Sequence, residues 1–224
     1  MTTLDGPRLE PRSRNARQLV VFAHGYGADG NDLIEIGRAW QELLPDAAFV
    51  SPHAPEACSQ APTGRQWFTL FSRAVDERWR GVTKAGPVLD AFIDAELKRR
   101  NLPPSALALV GFSQGTMMSL HVGLRRAVPP AAIVGYSGMF VLPKDDAPPE
   151  SIAGEIKGRP PVLLVHGDSD ELIPVGALMH AAQNLAALEV PVEWHISPGV
   201  GHGIDQEGLR QGGEFLARRF KAVR

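Results

Sequence analysis

The stretch "LALVGFSQGTMMSL", residues 107–120, decides how this chain is expected to fold. Its first half is an aliphatic run typical of a buried strand, and helix-forming residues follow Gly115. Ser113 lies between them, flanked by Gly111 and Gly115 in the pattern G-x-S-x-G. Two interpretations are open: the glycines only let a strand turn into a helix, or they hold Ser113 in a sharp turn that exposes it as a nucleophile. The motif also arises by chance, so the rest of the chain must decide.

The chain on both sides of this stretch alternates between short aliphatic runs and amphipathic segments. Short runs without polar alternation are typical of strands that helices cover on both faces. We therefore predict an α/β protein with a mostly parallel, doubly wound sheet. The further predicted strands are residues 18–24, 47–51, 131–137, 161–167 and 190–197. Apolar residues at helical spacing predict helices near residues 33–43, 88–97 and 209–220, although Gly86-Pro87 leaves the start of the second undetermined.

The 224 residues contain no internal repeat and no flexible linker, which predicts a single domain over residues 1–224. Residues 1–17 are expected to be a loosely ordered extension. Residues 52–82 and 138–160 are rich in proline and are predicted to be loops over the sheet edge. The second loop is too short to form a separate cap domain.

Composition excludes several classes of function. The net charge of −2 argues against nucleic-acid binding, and no apolar run reaches the roughly 18 residues that span a bilayer. Because the chain has one cysteine, Cys58, and no apolar segment near its N-terminus, we expect a cytoplasmic protein without stable membrane insertion. A homodimer remains open, since no heptad pattern marks an interface.

A serine nucleophile needs an imidazole base, and chain order selects among the seven histidines. In folds that use a serine in this setting, the acid follows the serine and the base follows the acid. His24, His53 and His121 come too early, His166 precedes the best acids, His180 lies in a helical segment, and His195 fits a sheet face. His202, in the glycine-rich loop "SPGVGHGIDQ", is the predicted base.

The acid and the oxyanion donors are expected at the ends of other strands. Asp168 and Asp170 both follow the strand in "VLLVHGDSDELIP", and their positions alone do not separate them. The predicted oxyanion donors are two main-chain N–H groups, those of Gln114 and of Tyr26 in "HGYGADG". That loop lacks the lysine and the spacing of a phosphate-binding loop, and no H-E-x-x-H pattern predicts a metal. No cofactor is expected.

These segments together resemble the phospholipase/carboxylesterase family of α/β-hydrolases, which includes the acyl-protein thioesterases. The resemblance is carried by "HGYGADGND", "QWF", "GFSQGTMMSL", "HGDSDELIP" and "GHGI", and it extends from about residue 18 to the C-terminus. It implies an α/β-hydrolase fold, assigns the acid to Asp170 rather than Asp168, and places Trp67 and Phe68 in the wall of an acyl-binding groove. Eukaryotic thioesterases usually have an aliphatic residue where this chain has Tyr26, which argues against their long-chain preference.

The sequence therefore predicts a serine hydrolase that cleaves carboxylic esters of short to medium acyl chains through Ser113, Asp170 and His202. Its groove would be lined by Trp67, Phe68 and Leu70, with Met139 and Phe140 as further candidates, and its partner would be a lipid-like or small acyl ester. Within enzymes, an acyl-protein thioesterase and a lysophospholipase are the alternatives. Outside them, the alternative is a hydrolase fold that only binds a ligand.

Overall fold

The computed structural model describes residues 4–70, 74 and 76–222. Within them, the chain forms nine strands: β1 (Arg8–Leu9), β2 (Gln18–Ala23), β3 (Ala47–Val50), β4 (Glu56–Ala57), β5 (Arg65–Gln66), β6 (Leu107–Phe112), β7 (Ala132–Tyr136), β8 (Val162–Gly167) and β9 (Val192–Ser197). The helices are α1 (Gly30–Trp40), α2 (Glu77–Arg99), α3 (Gln114–Arg125), α4 (Gly176–Ala187) and α5 (Gln206–Ala222). None of these helices is both long and apolar enough to cross a membrane.

Seven strands form one sheet in the order β1-β3-β2-β6-β7-β8-β9, and β4 and β5 pair separately as a hairpin. All neighbours in the main sheet are parallel except β1 and β3. The predicted mostly parallel sheet is therefore confirmed, and each predicted strand agrees with an observed one to within two residues.

Successive residues of a strand point to opposite faces of the sheet, and helices cover both faces of the central strands β2, β6, β7 and β8. Leu107 and Leu109 of β6 join a core cluster with α2, α3 and α4, whereas Ala108 and Val110 join a second cluster with α1 and α5. This two-sided burial explains why the central strands β2, β6, β7 and β8 are almost entirely apolar.

The N-terminal segment differs from the expected loose extension. Residues 1–3 lie outside the described residues, but Arg8 and Leu9 form the antiparallel edge strand β1 beside β3. Leu4 and Leu9 are buried, and the Arg8 guanidinium pairs with the buried carboxylate of Glu96 at 2.8 Å. Apolar burial and this ion pair hold the segment against the domain.

Helix α2 begins at Glu77 and continues through Pro87. A proline inside a helix removes one backbone hydrogen bond. Gly86 beside it permits close approach to α3, since a Cβ at this position would lie 3.1 Å from the His121 ring. The Gly86-Pro87 pair is therefore internal to the helix and does not mark its start.

In the described part of the chain, residues 138–160 contain a short 3-10 helix over Pro149–Glu155 and no cap domain. Because β2, β6, β7 and β8 are parallel neighbours, their carboxyl ends meet at one edge of the sheet. Ligands bind at this edge in open α/β folds.

Candidate active site

Ser113 occupies the turn between β6 and α3 in a strained backbone conformation. Its φ of +53° and ψ of −115° lie in a region that residues with side chains rarely adopt. The Ser113 N–H donates to the Tyr136 carbonyl at 2.9 Å, which fixes the turn to the end of β7. Strain of this kind persists only where the surrounding structure imposes it, and it occurs preferentially at functional sites.

The two glycines of the motif are required by close backbone contacts. A Cβ on Gly111 would lie 2.4 Å from the backbone of Gly115, and a Cβ on Gly115 would lie 1.7 Å from the Ala23 carbonyl oxygen. Helix α3 therefore crosses directly against the end of β2. This contact places Ser113 beside the loop that follows β2.

His202 and Asp170 come together from two different loops. His202 Nδ1 lies 2.8 Å from Asp170 Oδ2, and the Asp170 side chain is inaccessible to solvent. The other carboxylate oxygen accepts the N–H groups of Leu172 and Ile173, each at 2.9 Å. Burial alone would raise the pKa of Asp170, but the hydrogen bonds from Ile173 and His202 hold it below its usual value. Asp170 is therefore positioned as an ionised acceptor for the imidazole.

His166 makes a second contact with this carboxylate, which was not predicted from the sequence. Its Nε2 lies 2.8 Å from the Ile173 carbonyl oxygen and 3.2 Å from Asp170 Oδ2. A carbonyl oxygen only accepts, so Nε2 carries the proton and donates it to the Ile173 carbonyl, and Asp170 Oδ2 lies near the same nitrogen. His166 thus supports both the carboxylate and the turn that holds it.

Asp168 has a different environment from Asp170. Its side chain is exposed and accepts the Gly199 N–H at 2.7 Å and the Ser169 hydroxyl at 2.8 Å. Asp168 therefore ties the loop after β8 to the loop that leads to His202, and it makes no described contact with that imidazole.

Ser113 and His202 open onto one cavity of about 500 Å³. Its wall is largely apolar, with Arg78 and Glu77 as its charged members. Among the described residues it is lined by Gly25, Tyr26, Ala28, Leu70, Glu77, Arg78, Phe112, Ser113, Met117, Met139, Leu172, Ile173 and His202. Leu70 and Met139, two of the residues predicted to line the groove, are part of this wall.

Trp67 and Phe68 do not line this cavity, which corrects the expectation from the family resemblance. Both side chains are buried, with 1% and 3% of their surface exposed. Trp67 Nε1 donates to the His24 carbonyl at 3.0 Å, and Phe68 packs against Gly81 of α2. Leu70 of the same loop lines the cavity, but the rings of Trp67 and Phe68 point into the core.

The backbone of this loop is bound by the side chain of Gln114. Gln114 Oε1 accepts the Trp67 N–H at 2.9 Å, and Gln114 Nε2 donates to the Phe68 carbonyl at 2.7 Å. The predicted oxyanion donor is the main-chain N–H of Gln114, which opens α3 and so has no partner within the helix. Tyr26, the other predicted donor, lies in the cavity wall next to Gly25.

Two further residues support the loops of the site, and sequence reasoning missed both roles. The buried His24 donates from Nδ1 to the Gly25 carbonyl at 2.8 Å and accepts the Ala54 N–H on Nε2 at 3.0 Å, so its ring is neutral. Burial also lowers the pKa of His24. Ser137, which follows β7, donates to the carbonyl of Gly203 at 3.1 Å and so holds the loop beside His202.

The described residues contain no cluster of three or more His, Cys, Asp or Glu side chains that could hold a metal ion. Ser113 and His202 line the cavity, and Asp170 contacts His202 from outside it. Their arrangement can support acyl transfer to a serine.

Comparison with known proteins identifies relatives over nearly the whole chain. The model of the family described as Phospholipase/Carboxylesterase matches residues 4–219. The chain is 26% identical to acyl-protein thioesterase 1 of Gibberella zeae, over 96% of this chain and 95% of that protein. It is 28% identical to the esterase YpfH of Escherichia coli, over 90% of this chain and 83% of that protein.

The crystal structure of esterase PE8 superposes with a TM-score of 0.90 at 42% sequence identity, covering 97% of this chain and 99% of that one. The expected α/β-hydrolase fold is therefore confirmed.

Proposed function

This chain belongs to the phospholipase/carboxylesterase family of hydrolases, and from that premise we propose that it is a serine hydrolase that cleaves carboxylic esters of short to medium acyl chains. The observation that carries the proposal is the His202–Asp170 pair, which opens with the strained Ser113 onto one cavity.

The proposed roles follow from the hydrogen bonds. Because His202 directs Nδ1 to the Asp170 carboxylate, its Nδ1 carries the proton and its Nε2 lone pair remains to accept the Ser113 proton. Ser113 Oγ attacks the acyl carbonyl, and the tetrahedral intermediate collapses when His202 returns the proton to the leaving alkoxide. Water then adds to the acyl-enzyme by the same route, releasing the carboxylic acid and regenerating the serine. These steps use no cofactor.

The main-chain N–H groups of Gln114 and Tyr26 are proposed to stabilise the negative charge on the carbonyl oxygen. Removing one such donor typically lowers kcat about 10²–10³-fold. The Gln114–Trp67 and His24–Gly25 hydrogen bonds support this proposal, because they fix the two loops that carry the donors.

The substrate class is proposed from the cavity wall. Leu70, Met117, Met139 and Leu172 provide an apolar surface for an acyl chain. A thioester substrate is the second candidate, and the name of the Gibberella zeae relative favours it. We also propose a cytoplasmic location, because the buried Cys58 is a free thiol.

Labelling with a fluorophosphonate tests the nucleophile. We expect the wild type to be labelled and the Ser113→Ala variant to remain unlabelled, while the variant keeps the thermal unfolding midpoint of the wild type. An unlabelled wild type would contradict the enzyme proposal, and labelling that survives Ser113→Ala would contradict the assignment of the nucleophile.

A second experiment tests the substrate class. Hydrolysis of p-nitrophenyl esters, acyl thioesters and lysophospholipids is compared over a series of acyl chain lengths. We expect the highest kcat/KM for esters of short to medium chains. A maximum for long-chain thioesters or for lysophospholipids would instead support one of the alternatives from the sequence.

A further inference from the structure

A shallow groove of about 280 Å³ adjoins the cavity that Ser113 lines. It lies between α1 and the start of α5, and Phe112, at the end of β6, lines both the groove and the cavity. The groove is therefore continuous with the candidate active site, although it is formed by a different set of elements.

The position of the groove relative to His202 assigns it to one part of the substrate. Gly203, the neighbour of His202 in the chain, lines the groove, and the centroids of the Phe112 and His202 rings are 5.0 Å apart. In the proposed mechanism His202 returns its proton to the leaving oxygen, so that oxygen must come within hydrogen-bonding reach of the imidazole. The group attached to the leaving oxygen therefore enters beside the groove.

Most of the groove wall is apolar. Leu33 and Ile36 come from α1, and Ile204 and Leu209 come from the segment that leads from His202 into α5. Leu33 is buried, whereas the other three are partly buried and pack against the core cluster below them. Such a wall favours a leaving group with an apolar body over a strongly hydrated one.

Asp32 supplies the charge of the groove. Its side chain is exposed in the first turn of α1, and no lysine or arginine among the described residues forms an ion pair with it. The cations of the two flanking helices already have partners, since Arg38 pairs with Glu35 at 2.9 Å and Arg210 pairs with Glu207 at 2.6 Å. An unpaired carboxylate and an aromatic ring in one wall both attract a cation.

We propose that this groove binds the alcohol or thiol part of the substrate and favours leaving groups that carry an ammonium group on a short apolar chain. The inference rests on the proposed function, because it uses the direction in which His202 returns its proton. The acyl chain would contact the cavity wall at Leu70 and Met139, and the ammonium group would lie between the Phe112 ring and the Asp32 carboxylate.

A matched pair of esters tests the preference for charge. Butyrylcholine and 3,3-dimethylbutyl butyrate have the same acyl group and nearly the same shape, but a quaternary nitrogen in the first replaces a carbon in the second. The measured quantity is the ratio of kcat/KM for the charged ester to kcat/KM for the neutral one, because the intrinsic reactivities of the esters are the same for every variant. We expect Asp32→Asn to lower this ratio about 2–5-fold, as for one exposed ion pair. Salt at about 0.5 M should lower the wild-type ratio towards the same value, because it screens the carboxylate.

Glu35→Gln is the matched control. It removes the same charge from the next turn of α1, and Glu35 does not line the groove, so the ratio should stay that of the wild type. A ratio that Asp32→Asn leaves unchanged, a ratio that both variants lower equally, or a wild type that hydrolyses only the neutral ester would overturn the leaving-group site alone. A wild type that hydrolyses neither ester would overturn the proposed function together with this site.

Filling the groove tests its location independently of charge. Ile36→Trp places a larger side chain in the wall, and we expect kcat/KM for 3,3-dimethylbutyl butyrate to fall about 10-fold relative to that for methyl butyrate, whose leaving group is too small to reach the groove. Leu43→Trp is the control, since Leu43 is 45% exposed on another surface. A merely structural effect would lower both esters equally. An unchanged ratio of the two esters in Ile36→Trp, or the same change in both variants, would overturn the proposal.

Discussion

Asp168 and Asp170 are two residues apart, but their carboxylates have different surroundings. Asp170 is buried and accepts hydrogen bonds from His202 and from two backbone N–H groups. Asp168 is exposed and binds only to groups of the two loops. In the proposed mechanism, only the first can select the His202 tautomer.

Replacing Asp170 with asparagine is therefore expected to lower kcat about 10⁴-fold, because the amide no longer stabilises the imidazolium or the correct tautomer. Asp168→Asn is the matched control and should change kcat by less than about 10-fold, since the amide oxygen can still accept the Gly199 N–H and the Ser169 hydroxyl. Steady-state kinetics with one soluble ester would check both. The opposite pattern would mean that Asp168 is the acid.

The turn from β6 to α3 shows how tightly the elements of the site are packed. Gly115 faces the end of β2, and a Cβ would lie 1.7 Å from the Ala23 carbonyl oxygen and 2.8 Å from that of His24. Backbone atoms of a central strand cannot move as a flexible side chain can. Any side chain at position 115 must therefore displace α3 or the loop that carries Tyr26.

Gly115→Ala is expected to lower the free energy of unfolding by about 3 kcal/mol or more and to reduce kcat, because the clash acts on both proposed oxyanion loops. Gly176→Ala, at the start of α4, is the matched control. A Cβ there meets no atom within 4 Å, so that variant should be unchanged or up to about 1 kcal/mol more stable. Urea unfolding would measure both, and equal effects would contradict the steric argument.

The side chain of Gln114 links α3 to the loop that contains Trp67 and Phe68. Both of its partners, the Trp67 N–H and the Phe68 carbonyl, are buried. Gln114→Ala leaves these two groups unpaired, at a cost of about 1–3 kcal/mol for each. We expect the free energy of unfolding measured with urea to fall by about 2–6 kcal/mol, together with a lower kcat.

The control for this change is Gln41→Ala, because Gln41 makes one exposed hydrogen bond, to the Glu10 carbonyl. Loss of this hydrogen bond should lower the free energy of unfolding by less than about 1 kcal/mol. Equal destabilisation by the two substitutions would show that the Gln114 bonds do not support the loop.

The regular elements could be predicted from sequence because burial on both faces leaves a strong local pattern. The strands appear in the sequence as aliphatic runs. The candidate nucleophile, acid and base each follow a strand, in the chain order serine, acid, histidine that this fold uses. The edge strand β1 could not be predicted, since two residues carry no periodicity and only contact with β3 defines them. The direction of the Trp67 and Phe68 rings also depends on tertiary packing, because an aromatic loop residue can face the cavity or the core.

The whole molecule has a second cavity, of about 540 Å³, between α2 and the end of α3. His121 lies in its wall on α3, with the Trp79 ring of α2 edge-on at 5.7 Å and Arg125 of α3 nearby. The pKa of His121 is lowered to about 3, mainly by burial and to a smaller extent by the positive charge of Arg125. The carboxylates of Asp90 and Glu155 in the same wall pair with arginines. The native protein therefore keeps this imidazole neutral throughout the mildly acidic range.

This burial predicts how stability depends on pH. In the unfolded chain His121 takes up a proton as the pH falls through about 6.5, whereas the folded protein excludes that proton until about pH 3. The unfolded state then binds more protons than the native state, so the free energy of unfolding decreases as the pH falls across this window.

His121→Gln removes this pH-dependent contribution to stability. The free energy of unfolding of the variant should therefore change with pH less steeply than that of the wild type, by up to about 1.4 kcal/mol per pH unit below pH 6. Urea unfolding at several values between about pH 7.5 and 4.5 would measure this. Identical slopes for His121→Gln and the wild type would contradict a neutral, buried His121.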